Sequence, residues 1–313
     1  MARYGIIDLG SNSVRLVIYE VKRAPSAAKP FRALVDEKKM AGLAAYVEAG
    51  MFTEAGVARA ASVLSGHMRL ARNLACERVD IFATAVLRNC SNSAAATSAI
   101  EAAAGVPVRV LSAAEEAHLG WAGARVGTAL GSGTLIDIGG GSTEITPLDD
   151  QGRPRGDWEM GISLPQGSVS SYAQFVTLVL PGVAECRAMA NAFRAQLDKV
   201  ENLPFYQAEH LYGIGGSVRA IAKMQAQASG EAPKPSVVTR EQIDELFSLL
   251  ERDASAFAHA AVKACPDRVH TLVPGMVIAR TLLETLDGSD IAICKHGIRE
   301  GYLMECVLGM REE

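Results

Sequence analysis

The chain has 313 residues, 49% of them apolar and 21% charged. A chain of that length is expected to form about two domains and to bury a large core without disulfide or metal staples. Its net charge of −4 excludes bulk electrostatic binding to nucleic acid or to an anionic membrane, so a polyanionic ligand needs a local basic pocket.

Six cysteines, at 76, 90, 186, 265, 294 and 306, have neither metal-ligand nor redox-pair spacing and read as thiols of a reducing compartment. Asp8 interrupts the first apolar run too early for a signal peptide. No stretch approaches the roughly 18 apolar residues of a membrane span. A cytoplasmic location is expected.

In chain order, Tyr4 to Leu9, Val14 to Val21 and Phe31 to Lys39 read as three strands, from apolar runs and loose alternation. Small and apolar residues at helical spacing follow from Thr53 to Ala75. Val79 to Thr84 is a short buried strand, and Asn92 to Ala104 an alanine-rich helix stopped by Gly105. Val106 to Leu111 is a further strand, leading into a helix from Ala113 to Val126. At Gly131 to Gly133 the pattern restarts, with strands at Thr134 to Ile138 and Ser142 to Pro147 around a glycine turn. Helices and one strand, His210 to Ile214, are expected to fill the rest. Thr239 followed by Gln242 marks a helix start, and Ser229 to Ser236 a surface loop. Hairpins followed by helix–strand alternation make each half an α/β domain.

The restart is an internal repeat. Ile7-Asp8-Leu9-Gly10-Ser11-Asn12-Ser13 aligns with Ile136-Asp137-Ile138-Gly139-Gly140-Gly141-Ser142, matching Ile, Asp, Gly and Ser in register. The copies lie too far apart for a solenoid and suit two related lobes facing one cleft. Gly10 and Gly139 to Gly141 allow backbone geometries that point amide N–H groups at one spot, and Ser13 and Ser142 add hydroxyl donors. The aspartates would repel phosphate unless they serve a metal or a water. Two phosphate cradles and two aspartates fit phosphoryl transfer, where catalysis is mostly positioning and charge neutralisation.

Three further features bear on that chemistry. Gly213-Ile214-Gly215-Gly216-Ser217 ends a strand and opens a helix, whose N-terminus favours anions. Ser112 and Glu115 form a capping box, which gives Glu115 a structural job and leaves Glu116, on the neighbouring face, to orient an attacking water. Arg88, in the loop after a buried strand, is suited to fork onto phosphate oxygens. The six histidines have no metal-ligand spacing.

Taken in order, IDLGSNSVRL at 7–16, ATAVLR at 83–88, LSAAEEAHL at 111–119, IDIGGGSTEI at 136–145, SLPQGSVSSY at 163–172, GIGGSVRAIA at 213–222 and GIREGYL at 297–303 make a nearly end-to-end likeness. The chain resembles the exopolyphosphatase and guanosine pentaphosphate phosphohydrolase family, within the superfamily of actin, sugar kinases and heat-shock chaperones. The resemblance implies two actin-like (ribonuclease H-like) α/β domains with mixed sheets flanked by helices and an active-site cleft between them. The expected domains are 1–126 and 127–296, with a last helix, 297–313, packing back on the first. It implies Glu116 as the residue that activates water and Arg88 as a phosphate contact. Asp137, Asp8 and Glu144 are the implied carboxylates around a magnesium ion. The phosphate-binding set becomes Asp8, Gly10, Ser11, Asn12 and Ser13 of the first turn, Gly139, Gly140, Gly141, Ser142 and Thr143 of the second, and Gly215, Gly216 and Ser217 of the third.

The sequence departs from the family at Lys38-Lys39-Met40-Ala41-Gly42, which lacks the usual arginine, and at Arg268-Val269-His270, where histidine stands for aspartate. The chain also reads as the short two-domain form, which implies short polyphosphate chains. The expected activity is removal of terminal phosphate from inorganic polyphosphate. The alternatives are the same chemistry on guanosine pentaphosphate, an actin-like ATP-binding kinase module, and a silent phosphate sensor. A homodimer is implied by family likeness only.

Overall fold

The computed structural model describes residues 1–26, 29–156, 161–230 and 235–310. The chain divides into two compact units, Met1–Gly123 with Ile298–Glu313, and Ala124–Gly297.

The first unit is built on β1 (Ala2–Leu9), β2 (Ser13–Ser26) and β3 (Lys29–Met40), followed by the short pair β4 (Val47–Glu48) and β5 (Met51–Phe52). Helix α1 (Glu54–Asn73), β6 (Arg78–Ala83), α2 (Ala85–Arg88), α3 (Ser93–Ala104), β7 (Arg109–Val110) and α4 (Ala113–Ala124) come next. The main sheet runs β3-β2-β1-β6-β7, the first three strands antiparallel and the last two parallel to β1. The side-chain period of two explains the apolar run in β1. Ile7 and Leu9, with Leu16 and Ile18 of β2, face the core under α1 and α3. Ile6, with Val17 and Tyr19, faces a second core with Leu119, Tyr302 and Leu303. The same alternation puts Asp8 on the second face. Thr53 caps α1 by accepting from the Gly56 amide (3.2 Å), and Gly105 ends α3 in the left-handed region. The expected strand Val106 to Leu111 is only two residues long in β7.

The C-terminal segment completes this unit as α11 (Ile298–Tyr302) and a π-helical turn, Leu303–Val307. That is far shorter than an expected helix over 297–313, whose last three residues lie outside the described ones.

The second unit contains β8 (Gly133–Ile138), β9 (Thr143–Leu148), β10 (Ile162–Leu164), α5 (Ser168–Phe175), α6 (Val183–Leu197), β11 (His210–Ile214) and α7 (Gly215–Ser229). It continues through β12 (Val237–Thr239), α8 (Arg240–Arg252), α9 (Ala254–Ala264), α10 (Val269–Thr285) and β13 (Asp290–Ile293). Three of these strands, β10, β12 and β13, were not expected. The sheet order is β10-β9-β8-β11-β13-β12. Its first five strands repeat the first unit's order and directions: two antiparallel neighbours on one side of the central strand, two parallel on the other. The sequence repeat therefore extends to five strands of each sheet, and β12 is an addition of the second unit. Ile136, Ile138 and Ile145 pack with Met189 and Phe193 of α6, Ile221 of α7 and Met276 of α10. The α8 capping box is as expected: Gln242 N–H donates to Thr239 Oγ1 (3.2 Å), and Thr239 N–H to Gln242 Oε1 (3.0 Å). Of the expected loop at Ser229 to Ser236, residues 231–234 lie outside the described ones.

Candidate active site

The two repeated turns are closed by the same bond. Gly10 N–H donates to Ser13 O at 3.2 Å, and Gly139 N–H to Ser142 O at 3.0 Å. In each turn the neighbouring carbonyls are tied back into their own unit. Ser11 O accepts from Ala44 N–H (2.9 Å), and Asn12 O from Ala41 and Gly42 N–H (3.1 and 2.9 Å). Gly139 O accepts from Ser168 N–H (2.9 Å), and Gly140 O from Val169 and Ser170 N–H (2.9 and 3.0 Å). Across a trans peptide the next N–H points opposite to the carbonyl. The amides of Asn12 and Ser13, and of Gly140 and Gly141, are thus turned away from the anchoring segments, as an anion nest requires. The Asn12 side chain adds an orphan: Nδ2 is buried without an acceptor, a state that marks a functional position or a missing partner.

Asp8 lies next to the first turn, with Oδ2 2.9 Å from Arg299 Nη1. Burial pushes its carboxyl above the ordinary value, although Arg299 and Arg15 oppose the shift. Across the sheet, Asp8 stands beside Arg15 and Arg15 beside Lys38, and Arg15 in turn binds Asp36 through Nε and Nη2.

Arg88 ends α2, and its Nη1 donates to Glu116 Oε2 and to Leu111 O (3.3 Å). The side chains of Arg88 and Glu116 are only 16% and 11% exposed. Glu115 is spent elsewhere. Its Oε2 accepts from Ser112 N–H (2.8 Å) and its own N–H donates to Ser112 Oγ (3.1 Å), while Oε1 binds Arg109. Burial opposes the charge on Glu115, but the Ser112 groups and Arg109 outweigh it and hold the carboxyl below its usual range. The capping box thus separates the two glutamates as the spacing suggests.

In the second unit, Asp137 and Glu144 stand directly opposite each other on the β8–β9 hairpin. Glu144 is buried, and its Oε1 accepts from Ser163 Oγ at 2.8 Å. The third glycine turn comes up against this pair. Gly215 has φ +88°, and a Cβ there would collide with Asp137 Oδ1; the Arg268 guanidinium fills the place of a side chain at Gly216. Two of the expected phosphate-binding side chains turn inwards. Thr143 Oγ1 is buried and donates to Gln166 O (2.7 Å), and Ser217 Oγ donates to Ser168 Oγ (3.2 Å). Their hydroxyls fasten α5 and its preceding loop to the glycine turns and are not presented to an anion. His270, the residue that departs from the family pattern, packs edge-on against Tyr172 with ring centroids 5.3 Å apart.

Among the described residues, no three His, Cys, Asp or Glu side chains form a ready-made metal cage. Magnesium does not demand one: it is commonly held by one or two carboxylates together with substrate phosphates. The opposed pair Asp137 and Glu144 fits that donor set. Asp8, facing a guanidinium, does not.

A family model described as the Ppx/GppA phosphatase family matches residues 17–309. The chain belongs to the Ppx/GppA phosphatase family. Exopolyphosphatase 1 of Mycobacterium tuberculosis is 23% identical over 308 residues, covering 96% of this chain and 87% of that protein. A guanosine-5'-triphosphate,3'-diphosphate pyrophosphatase of Pseudoalteromonas translucida is 25% identical over 312 residues, covering 96% of this chain and 58% of that protein. In three dimensions, the crystal structure of an exopolyphosphatase from Cytophaga hutchinsonii superposes with a TM-score of 0.82 at 21% identity, over 99% of each chain. That likeness is one of fold, the mixed α/β architecture described above. Within the Ppx/GppA motifs, the partner of Asp8 is the residue that sequence reasoning missed: Arg299 sits in the quoted GIREGYL stretch, but nothing local pairs it with a strand 291 residues away.

Proposed function

We propose that this Ppx/GppA member is a magnesium-dependent exopolyphosphatase that removes the terminal phosphate of inorganic polyphosphate. The observation that carries the reading is the matched closure of the two turns, Gly10 to Ser13 and Gly139 to Ser142, with flanking carbonyls anchored and amides turned outwards. Each such nest suits the oxygens of a phosphoryl group. Exopolyphosphatase is also what the Mycobacterium and Cytophaga relatives are called.

In this reading a water oxygen attacks the terminal phosphorus and the bridging P–O bond breaks. Orthophosphate and a chain shorter by one unit leave. Glu116 accepts the proton of the attacking water, its carboxylate aimed by Arg88. Arg88 also faces phosphate oxygens as charge builds on them. Asp137 and Glu144 would hold magnesium, which supplies charge neutralisation on the phosphoryl oxygens when bound. The outward amides of each turn offer donors to phosphate oxygens. A reducing cytoplasm suits the six free cysteines, and among the described residues no helix is long and apolar enough to cross a membrane.

A second reading, the same hydrolysis on guanosine pentaphosphate, is supported by the Pseudoalteromonas relative. Orthophosphate release with magnesium, measured on polyphosphate, guanosine pentaphosphate and ATP at equal concentration, separates the readings. Polyphosphate is expected to be the preferred substrate. Preference for guanosine pentaphosphate would favour the second reading, and release from neither would remove both.

A further inference from the structure

The GIREGYL stretch is a motif for which neither turn nor general base accounts. In α11, successive residues reach into different parts of the first unit. Arg299 Nη1 meets Asp8 Oδ2 at 2.9 Å, with side chains only 13% and 18% exposed. Glu300 Oε1 accepts from Tyr19 O–H at 2.6 Å. Gly301 lies so close to α4 that a Cβ would collide with Leu119 O. Tyr302 stacks on Phe82 of β6 with centroids 5.0 Å apart. One turn later, Glu305 Oε2 meets His118 Nε2 at 2.6 Å, and His118 lies two residues beyond Glu116 on α4. One short segment thus touches the strand that leads into the first turn and the helix that carries Glu116.

Arg299 itself is incompletely satisfied. Its Nε is buried without an acceptor. An arginine kept only to fill a core would saturate its donors, and a buried orphan calls for another explanation. Its charge is aimed at the aspartate immediately before Leu9 and the Gly10 turn.

We propose that Arg299 is a positioning residue of the hydrolysis, acting through Asp8 to set the first phosphate turn relative to the Glu116 helix. The inference deepens the exopolyphosphatase reading and rests on it. Asp8 is here a strut of the turn. The Nη1 contact fixes its carboxylate, and the α11 contacts with Tyr19, Phe82 and α4 fix the guanidinium. Misplacing a turn by a fraction of an ångström degrades alignment at the reacting phosphorus more than it degrades gross phosphate binding.

The test measures kcat, KM and Tm on polyphosphate for the wild type, R299M, R299K, D8N and the pair D8N/R299Q. R299M is expected to lose at least about tenfold in kcat while KM changes by less than about threefold. R299K should recover part of that loss. Because Arg299 acts through Asp8, D8N/R299Q should turn over at the rate of D8N, the two effects failing to multiply. The pair removes both charges, so it avoids leaving one charge buried alone and decides the matter if R299M does not fold. Wild-type kcat in R299M, or a further loss of about tenfold or more from D8N to D8N/R299Q, would overturn the inference. A wild type that releases no phosphate sinks the hydrolase reading and this inference together; an active wild type with an indifferent R299M sinks the inference alone.

Discussion

Arg88 donates through Nη1 to the Oε2 of Glu116, and both side chains are largely buried in the first unit. A carboxylate held in this way is fixed in orientation by the guanidinium. In the proposed mechanism, loss of the arginine costs both the aim of Glu116 and a charge on the phosphate oxygens. Arg88→Met is expected to lower kcat about a hundredfold, and Arg88→Lys to recover little, since a point charge does not reproduce a fork. Steady-state phosphate release checks this; an Arg88→Met enzyme with normal kcat would remove the arginine from the chemistry.

Asn12 offers a stability test of a functional site. Its Nδ2 is buried without an acceptor, a state that costs about 1–3 kcal/mol unless a ligand supplies the oxygen. Asn12→Ala is therefore expected to leave Tm unchanged or raise it, and to raise KM for polyphosphate about tenfold, the loss of roughly one hydrogen bond to a charged group. Thermal unfolding and kinetics on the same preparation read both. A drop in Tm with unchanged KM would make the side chain structural.

The pair Asp137 and Glu144 predicts a particular metal response. Glu144→Gln keeps the shape and the Ser163 contact but removes a charge, and should raise the magnesium concentration for half-maximal activity about tenfold or more. Chelation should abolish turnover in the wild type and leave its unfolding temperature nearly unchanged, because the β8–β9 hairpin is formed by its own ladder. Equal magnesium dependence in wild type and Glu144→Gln would take Glu144 out of metal binding.

Glu115 should act on stability rather than turnover. Its folded carboxyl is held below the usual range, so its contribution is fully present above the unfolded value and is lost as pH falls through the folded one. Glu115→Gln is expected to lower Tm by a few degrees at neutral pH. That deficit should shrink in the acid range below about 4, with kcat little altered. A deficit independent of pH would mean that charge is not the source.

Much of this was legible because it is local. The capping box at Ser112 and Glu115 is read within four positions, and it assigns Glu115 to structure. The repeat at Asp8 and Asp137 was readable because a hairpin with a glycine turn leaves a strict pattern, and the sheets then follow that pattern strand for strand. The strands that escaped, Ile162–Leu164, Val237–Thr239 and Asp290–Ile293, are too short for an alternation to register against the helical background. Thr143 and Ser217 sit in glycine turns that suggest an anion, and only the fold reveals that their hydroxyls are used by Gln166 and Ser168. Arg299 and Asp8 come together solely because the C-terminal segment returns to the first strand, a relationship that neither local spacing nor composition encodes.

In the proposed mechanism Glu116 activates water for attack on a terminal phosphoryl group. Orthophosphate release from polyphosphate by wild type and Glu116→Gln, at matched folding temperature and saturating magnesium, tests it most directly. A loss of about two to four orders of magnitude in kcat with the fold intact is expected; release at close to the wild-type rate would remove Glu116 from the mechanism.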